Sequence, residues 1–283
     1  MSEHPTRTAI RPQTPSGANV LVDQQRRKGQ LATYACDVLQ HFDVKTTPVR
    51  LDLLPWPKDT IDICAKDLQG YCDGLLRWNV AQRRFYLYYD DRHPARARFN
   101  LAHELAHYLI PDHAKMIRRG SVHQSKAEVW STTRAMEIEA DHMAAELLVP
   151  AYLYDTAAFD LSCVGICKLK EAFDVSYPCA GLKLIEHASE PAALICYEAG
   201  RIAWWRTNTA MNDLEIGGMT IGGSAPRAVR SDALLVPGTQ DIGEFRASDW
   251  FDRVQEDIRV YVQAQVVEIN SDATAYVLVV GAD

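Results

Sequence analysis

This 283-residue sequence lacks long apolar segments, and it lacks the features of a secreted protein. No apolar run approaches the length of about 18 residues that a membrane-spanning helix needs. Residues 1–19 are polar and proline-rich and contain no apolar signal-peptide core, so we expect residues 1–22 to form a disordered tail. Because 47% of all residues are hydrophobic, the part of the chain that follows this tail can fill a core. The sequence therefore predicts a globular protein without a membrane partner.

Paired cysteines and an excess of positive charge are missing as well. The seven cysteines are an odd number and none belongs to a Cys-x-x-Cys pair, which favours free thiols in a reducing cytoplasm. The net charge of −7 excludes a protein that coats nucleic acid through broad electrostatic attraction. The glycine-rich run at 217–223 is not followed by Lys-Ser/Thr, which excludes a phosphate-binding loop of that type.

What the sequence does contain is the string His-Glu-Leu-Ala-His at residues 103–107. His103 and His107 are four residues apart and share one helix face, within reach of one tetrahedral Zn²⁺. Glu104 is well placed to accept a proton from a water molecule that the metal activates. Apolar neighbours predict that the helix is buried, and two buried histidines need partners. Pro111 is expected to end the helix.

The third protein ligand has two candidates, of which the first is His113. This residue completes a His-x₃-His-x₅-His spacing that is similar to the metzincin pattern. The pattern requires a glycine for a sharp turn, and Ile110 stands at that position. The alternative interpretation of His113 is a surface loop residue that follows Pro111.

The second candidate lies in a helical pattern at 135–149 that Pro150 closes. Glu137 and Asp141 share a helix face, so Glu137 could bind the metal while Asp141 holds a ligand histidine by its other ring nitrogen. Glu139 is rotated by about 200° from Glu137 and is the weaker candidate.

Two segments together, Arg-Phe-Asn-Leu-Ala-His-Glu-Leu-Ala-His at 98–107 and Glu-Ile-Glu-Ala-Asp at 137–141 followed by Leu-Leu-Val-Pro, resemble the ImmA/IrrE family of metallo-endopeptidases. The resemblance covers roughly residues 50–150. It implies one Zn²⁺ per chain, with Mn²⁺ as an alternative, held by His103, His107 and Glu137. It also implies Glu104 as the general base. Members of this family are usually paired with an XRE-type helix-turn-helix repressor, which they cleave to release transcription.

The expected fold class is α+β, in four parts. A zincin-like metallopeptidase domain at 23–150 follows the tail of residues 1–22. A helical, helix-turn-helix-like module at 151–190 and a mostly β, candidate sensory domain at 191–283 complete the chain. Within the peptidase domain, residues 74–80 and 84–89 alternate and predict a hairpin. This hairpin either binds extended substrate by strand addition, as in zincin-type proteases, or is purely structural.

The helical module has the local signature of a helix-turn-helix, with Ser176 as the expected N-cap of its second helix. The charge disfavours DNA binding, because residues 151–190 contain three lysines, no arginine and six acids, a net charge of −3. We therefore expect a structural or partner-docking module, and no direct contact with DNA.

The leading hypothesis is a cytoplasmic zinc endopeptidase whose substrate is a helix-turn-helix repressor. One rival is a non-catalytic regulator that binds a repressor or toxin partner, and another is a DNA-binding regulator with a structural metal. A structural zinc site would favour four protein ligands and would have no use for Glu104. A second oxyanion donor is also expected, for which the candidates are His142, Tyr108 and His123.

Overall fold

A computed structural model describes residues 17–68, 72–92, 94–120, 127–155, 158–226, 234, 237–255, 257–269 and 272–281. The described chain has a mixed α+β architecture with two separate sheets. Within these residues, no helix is both long enough and apolar enough to cross a membrane.

The helices, in chain order, are α1 (Gly17–His41), α2 (Pro94–Leu109), α3 (Pro111–Arg118), α4 (Ala127–Leu148), α5 (Cys163–Phe173), α6 (Tyr177–His187), α7 (Thr209–Asp213) and α8 (Ala247–Trp250). The strands are β1 (Ile61–Ala65), β2 (Gly74–Asn79), β3 (Arg84–Tyr89), β4 (Ala192–Glu198), β5 (Arg201–Thr207), β6 (Gly238–Arg246), β7 (Arg259–Ile269) and β8 (Asp272–Gly281).

The first sheet has the order β1-β3-β2, with β2 and β3 antiparallel and β1 parallel to β3. The predicted hairpin is therefore present, and β2 is an edge strand of this sheet. Phe85 and Leu87 are fully buried on one face of β3, which packs against α2. The alternation in the sequence thus places one face of the sheet on the core and turns the other outwards.

Helices α2 and α4 carry the two candidate motifs and pack against each other. Small residues at the contact let the two backbones approach closely: Ala102 and Ala106 on α2, and Ala140 and Ala144 on α4, are all fully buried. Each alanine lies within a few positions of a candidate site residue on its own helix. This close approach brings the candidate site residues of the two helices within reach of each other. As expected, α2 ends just before Pro111.

Helices α5 and α6 do not form a separate module, which corrects the expected boundary at 150/151. Their buried residues belong to the same hydrophobic core as those of α1, α2 and α4. Ser176 is the N-cap of α6, as predicted, because its hydroxyl accepts a hydrogen bond from the Cys179 backbone N–H. Residues 179–181 and 183–185 of α6 are buried, so most of this helix is not available to enter a DNA groove. The sequence pattern also indicates three helices at 152–188, whereas the described part shows two and a 3₁₀ turn at Ala151–Leu153.

The C-terminal region forms an antiparallel sheet with the order β5-β4-β8-β7-β6. One face, including Leu194 and Leu278, joins the core of the helical part, while Ile195 and Val277 belong to a second core on the opposite face. The described strands agree with a mostly β region, and its sensory role stays a prediction.

The predicted tail is wrong at its C-terminal end. Helix α1 begins at Gly17, so residues 17–22 are helical, and residues 1–16 lie outside the described residues.

Candidate metal centre and active site

Three side chains from α2 and α4 converge at one point. His103 Nε2 lies 3.2 Å from His107 Nε2 and 3.1 Å from a carboxylate oxygen of Glu137. The second carboxylate oxygen of Glu137 lies 3.5 Å from His107 Nε2. The spacing of four residues on α2 brings the two imidazoles together, and α4 supplies the acid from across the helix contact. The structure thus brings together the three residues that the two sequence motifs single out.

Asp141 lies behind this group of three. His103 Nδ1 lies 2.9 Å from Asp141 Oδ1, so that Asp141 holds this ring with Nε2 directed at His107 and Glu137. Asp141 is one helical turn beyond Glu137, in keeping with the i, i+4 spacing. His107 has no equivalent support, since its buried Nδ1 lacks a hydrogen-bond partner among the described residues.

Glu104 lies between the histidines and the edge strand β2. A side chain at Gly74 would collide with it, because a Cβ built there would lie 2.7 Å from Glu104 Cγ. The Glu104 carboxylate also accepts a hydrogen bond from the backbone N–H of Leu76. Glycine at position 74 thus makes room for Glu104 at the start of β2, and the carboxylate lies beside the strand edge and the histidine pair.

The protonation preferences show that this site stabilises a positive charge. Burial lowers the pKa of His103, but hydrogen bonds to Asp141 and Glu137 outweigh that effect and raise the pKa to about 10. Hydrogen bonds from His103 and His107 lower the pKa of Glu137 well below its ordinary value. Burial raises the pKa of Glu104, and the two nearby histidines only partly oppose this increase.

The donor set fits a catalytic zinc ion. Two ligands that are each about 2.0–2.1 Å from a tetrahedral Zn²⁺ lie roughly 3.3 Å apart. The three donor separations of 3.2, 3.1 and 3.5 Å match that spacing. Two imidazoles and one carboxylate are the protein ligands of many catalytic zinc sites, in which the fourth position stays open.

His113 and Glu139, the weaker ligand candidates, lie outside this group. His113 is buried on α3 and not on a surface loop; its ring packs against the His107 ring with centroids 5.0 Å apart. Its Nε2 lies 3.5 Å from Glu139, whose carboxylate accepts two hydrogen bonds from Arg27 on α1. Burial lowers the pKa of His113 to about 4, so this side chain is neutral at neutral pH. Glu139 therefore pairs with α1 and α3 and does not face the converging histidines.

Two of the three candidate oxyanion donors bond to other groups. His142 faces the opposite side of α4, where its Nε2–H donates to the Lys28 carbonyl oxygen. Tyr108 Oη is 2.8 Å from the Thr60 hydroxyl. His123 lies outside the described residues.

A second group of metal-binding residue types consists of His142, Glu146 and Glu186. Here the cation is already supplied by the chain, since the buried ammonium of Lys183 donates to Glu146 and to Glu186. Sequence reasoning missed this ion pair because the lysines of residues 151–190 were considered only for the net charge of that segment. The signal that could have found it is the position of Lys183 amid apolar residues on both sides in α6.

Comparisons with known proteins agree with the two-motif resemblance. Residues 59–184 match the family model described as peptidase M78, IrrE N-terminal-like domain. A solved structure described as a Mycobacterium tuberculosis transcriptional regulator is similar to the chain, with a TM-score of 0.62 and 16% sequence identity. That likeness covers 91% of this chain and 78% of the other, and it shows a shared fold. No curated protein sequence matches the chain. The segment 59–184, which holds His103, His107 and Glu137, is therefore an IrrE N-terminal-like domain of the ImmA/IrrE family.

Proposed function

We propose that the protein is a zinc-dependent endopeptidase that cleaves a protein substrate. The observation that carries this proposal is the convergence of His103, His107 and Glu137 with Glu104 beside them. The match to a peptidase family supports it. A purely structural metal site would gain nothing from a half-buried carboxylate that is next to the ligands but not among them.

In this proposal His103, His107 and Glu137 hold one zinc ion, and Asp141 fixes the ring of His103. When bound, zinc makes a water molecule more acidic and polarises a peptide carbonyl. The Asp141 carboxylate keeps the proton of His103 on Nδ1, so that Nε2 is free to act as a ligand. Mn²⁺ is the alternative metal for the same donors.

Glu104 serves as the general base and then as the general acid. Its carboxylate accepts a proton from the attacking water and returns that proton to the leaving amine. Because burial raises the pKa of Glu104, its carboxylate is a stronger base than an exposed one. Activity should be lost as the pH falls through that raised pKa, since a protonated Glu104 cannot accept the proton.

The substrate would bind as an extended segment along the free edge of β2. Within the described residues this edge pairs with no other strand, and its first residue, Gly74, contacts Glu104. Strand addition would bring a backbone carbonyl of the substrate next to the proposed metal centre.

The biological substrate in this proposal is a helix-turn-helix transcriptional repressor. Support comes from the family resemblance, and the description of the similar solved structure as a transcriptional regulator agrees with a regulatory role. The second candidate is a regulator that binds such a repressor or a toxin without cutting it. The same residues could hold a metal in either case.

Co-expression with the repressor encoded in a neighbouring reading frame tests the proposal. The wild-type chain should shorten the repressor, and the fragments should reveal one main cleavage site by mass spectrometry. The matched control is Glu104→Gln, which keeps every proposed metal ligand. A repressor that stays intact but co-purifies with both forms would support the binding-only candidate; cleavage by both forms would contradict the mechanism.

A further inference from the structure

The outward face of the β1-β3-β2 sheet carries an unusual group of side chains. Arg77 on β2 and Lys66 just after β1 are exposed, and between them Tyr86 and Tyr88 on β3 are only half-buried. The opposite face of the sheet packs on α2. Among the described residues, therefore, this outward face is open to solvent, and we call these four residues the tyrosine–arginine face.

The cations on this face are held by aromatic rings. The Tyr86 and Tyr88 rings are nearly parallel, 13° apart in plane with centroids separated by 6.3 Å. The Arg77 guanidinium lies 5.6 Å from one centroid and 5.5 Å from the other, and Lys66 Nζ lies 5.5 Å from the Tyr88 ring. Arg77 Nη2 also donates to the Tyr88 hydroxyl at 3.5 Å. These contacts hold the guanidinium in place while its other N–H groups stay available to bind a planar anion.

The charge on this face is opposite to that of the chain as a whole, which has a net charge of −7. Neither Arg77 nor Lys66 pairs with a carboxylate among the described residues, whereas other exposed arginines of the chain do form ion pairs. The outward acid of these three strands is Asp62 on β1, which is the strand farthest from β2. The face is thus electrostatically complementary to a negatively charged partner.

The position of Arg77 on β2 indicates which kind of partner this face would bind. A peptide that pairs with the free edge of β2 would extend the sheet, and every second side chain would stand on the outward face. Those side chains would be direct neighbours of Leu75, Arg77 and Asn79, which alternate along β2 with the buried Leu76 and half-buried Trp78. Opposite charges across neighbouring strands attract, and like charges repel.

Resting on the proposed endopeptidase function, we propose that the tyrosine–arginine face selects substrates with acidic side chains at alternate positions of the bound strand. Arg77 is the specificity-determining residue, and Tyr86 and Tyr88 position its guanidinium. The face recognises carboxylates of an extended peptide. This selection does not depend on which peptide bond is cut.

Binding measured without turnover tests this inference. The full chain carrying Glu104→Gln is titrated against two fluorescein-labelled dodecapeptides, one of alternating Glu and Val and one of alternating Ser and Val. Fluorescence anisotropy should give roughly fivefold to tenfold tighter binding of the Glu peptide at low salt. Adding Arg77→Ala should remove the preference, and Arg77→Lys should retain only part of it. The matched control is Arg206→Ala, which removes an exposed arginine from the C-terminal sheet.

Equal affinity for the two peptides, or an unchanged preference in Arg77→Ala, would overturn the inference. A twelve-nucleotide oligothymidylate that binds more tightly than the Glu peptide, and loses this affinity in Arg77→Ala, would reassign the face to nucleic acid. Binding is measured on the Glu104→Gln chain, in which cleavage is expected to be strongly reduced. This measurement therefore remains interpretable even if the wild-type chain proves not to be a peptidase. Circular dichroism of each variant checks that the fold is retained.

Discussion

Helix α4 takes part in two clusters of the same residue types, and only one of them is suited to a metal. Glu137 meets His103 and His107, where no basic side chain other than these imidazoles is present among the described contacts. Further along the helix, Glu146 and His142 meet Glu186, but the Lys183 ammonium lies between the carboxylates.

The difference shows that proximity of histidines and acids does not by itself make a metal site. In the second cluster an internal cation already neutralises the carboxylates, so a metal would have to displace a buried, hydrogen-bonded ammonium. In the first cluster the raised pKa of His103 shows that its imidazole favours the proton, and a metal ion can replace that proton. Whether a cluster already contains an internal cation therefore decides whether it is suited to bind a metal ion.

The largest expected effect is the loss of metal from the first cluster. His107→Ala or Glu137→Ala removes one of three protein ligands and should lower the zinc content from about one ion per chain to near zero. Elemental analysis of the purified variants measures this change. Glu146→Gln is the matched control on α4 and should keep its zinc; a loss of zinc from that variant alone would reverse the assignment of the two clusters.

The second effect concerns the proton acceptor. Glu104→Gln should reduce peptide cleavage by about 10²–10⁴-fold, since a general base is lost, while the zinc content stays at the wild-type level. Cleavage of the identified repressor and elemental analysis of the same sample provide both readouts. An active Glu104→Gln enzyme would refute the role of Glu104.

The third effect tests the second cluster. Lys183→Met leaves Glu146 buried without its cation and should lower the free energy of unfolding by about 3–5 kcal/mol. Denaturant unfolding measures this loss. The double variant Lys183→Met, Glu146→Gln should recover much of it, because no buried charge remains unpaired. If Lys183→Met bound a second zinc ion and lost no stability, the ammonium would not be what distinguishes the clusters.

The fourth effect concerns the support of a ligand. Asp141→Ala should weaken zinc binding by about 10–100-fold, because the His103 ring loses the acceptor that fixes its orientation. Competition with a chromophoric chelator measures the affinity. Asp141→Asn, which keeps an acceptor oxygen, should lie between the wild type and the alanine variant; no change in either would show that Asp141 is dispensable.

The smallest effect is expected for Glu139→Ala. The carboxylate pairs with Arg27 in a half-exposed setting, so its loss should cost about 0–1 kcal/mol of stability and leave zinc binding almost intact. Chelator competition and thermal unfolding check both quantities. A variant without zinc would mean that Glu139, and not Glu137, is the third ligand.

The sequence was sufficient to predict the local part of this site. The four-residue spacings of His103 and His107, and of Glu137 and Asp141, follow from helix periodicity, and the structure has both pairs facing each other. The hairpin was readable from its alternation, and short apolar segments indicated the other C-terminal strands. Strand β6 was not, since its run of polar residues is interrupted by a bulge at Asp241–Gly243.

Contacts between segments that are far apart along the chain could not be predicted from the sequence. The burial of His113 depends on α3 packing under the His107 ring, and the burial of Lys183 depends on Glu146, which is 37 residues away. The separate helical module was wrong for the same reason: short amphipathic helices do not reveal whether their apolar faces meet each other or a larger core.

The most direct test of the proposed metal centre is anomalous diffraction at the zinc edge from crystals of the zinc-loaded protein. We expect one peak within coordination distance of His103 Nε2, His107 Nε2 and a Glu137 carboxylate oxygen. The hydrogen bond between Asp141 and His103 Nδ1 should still be present. A peak coordinated by His113 or Glu139, or a peak among His142, Glu146 and Glu186, would contradict the assignment.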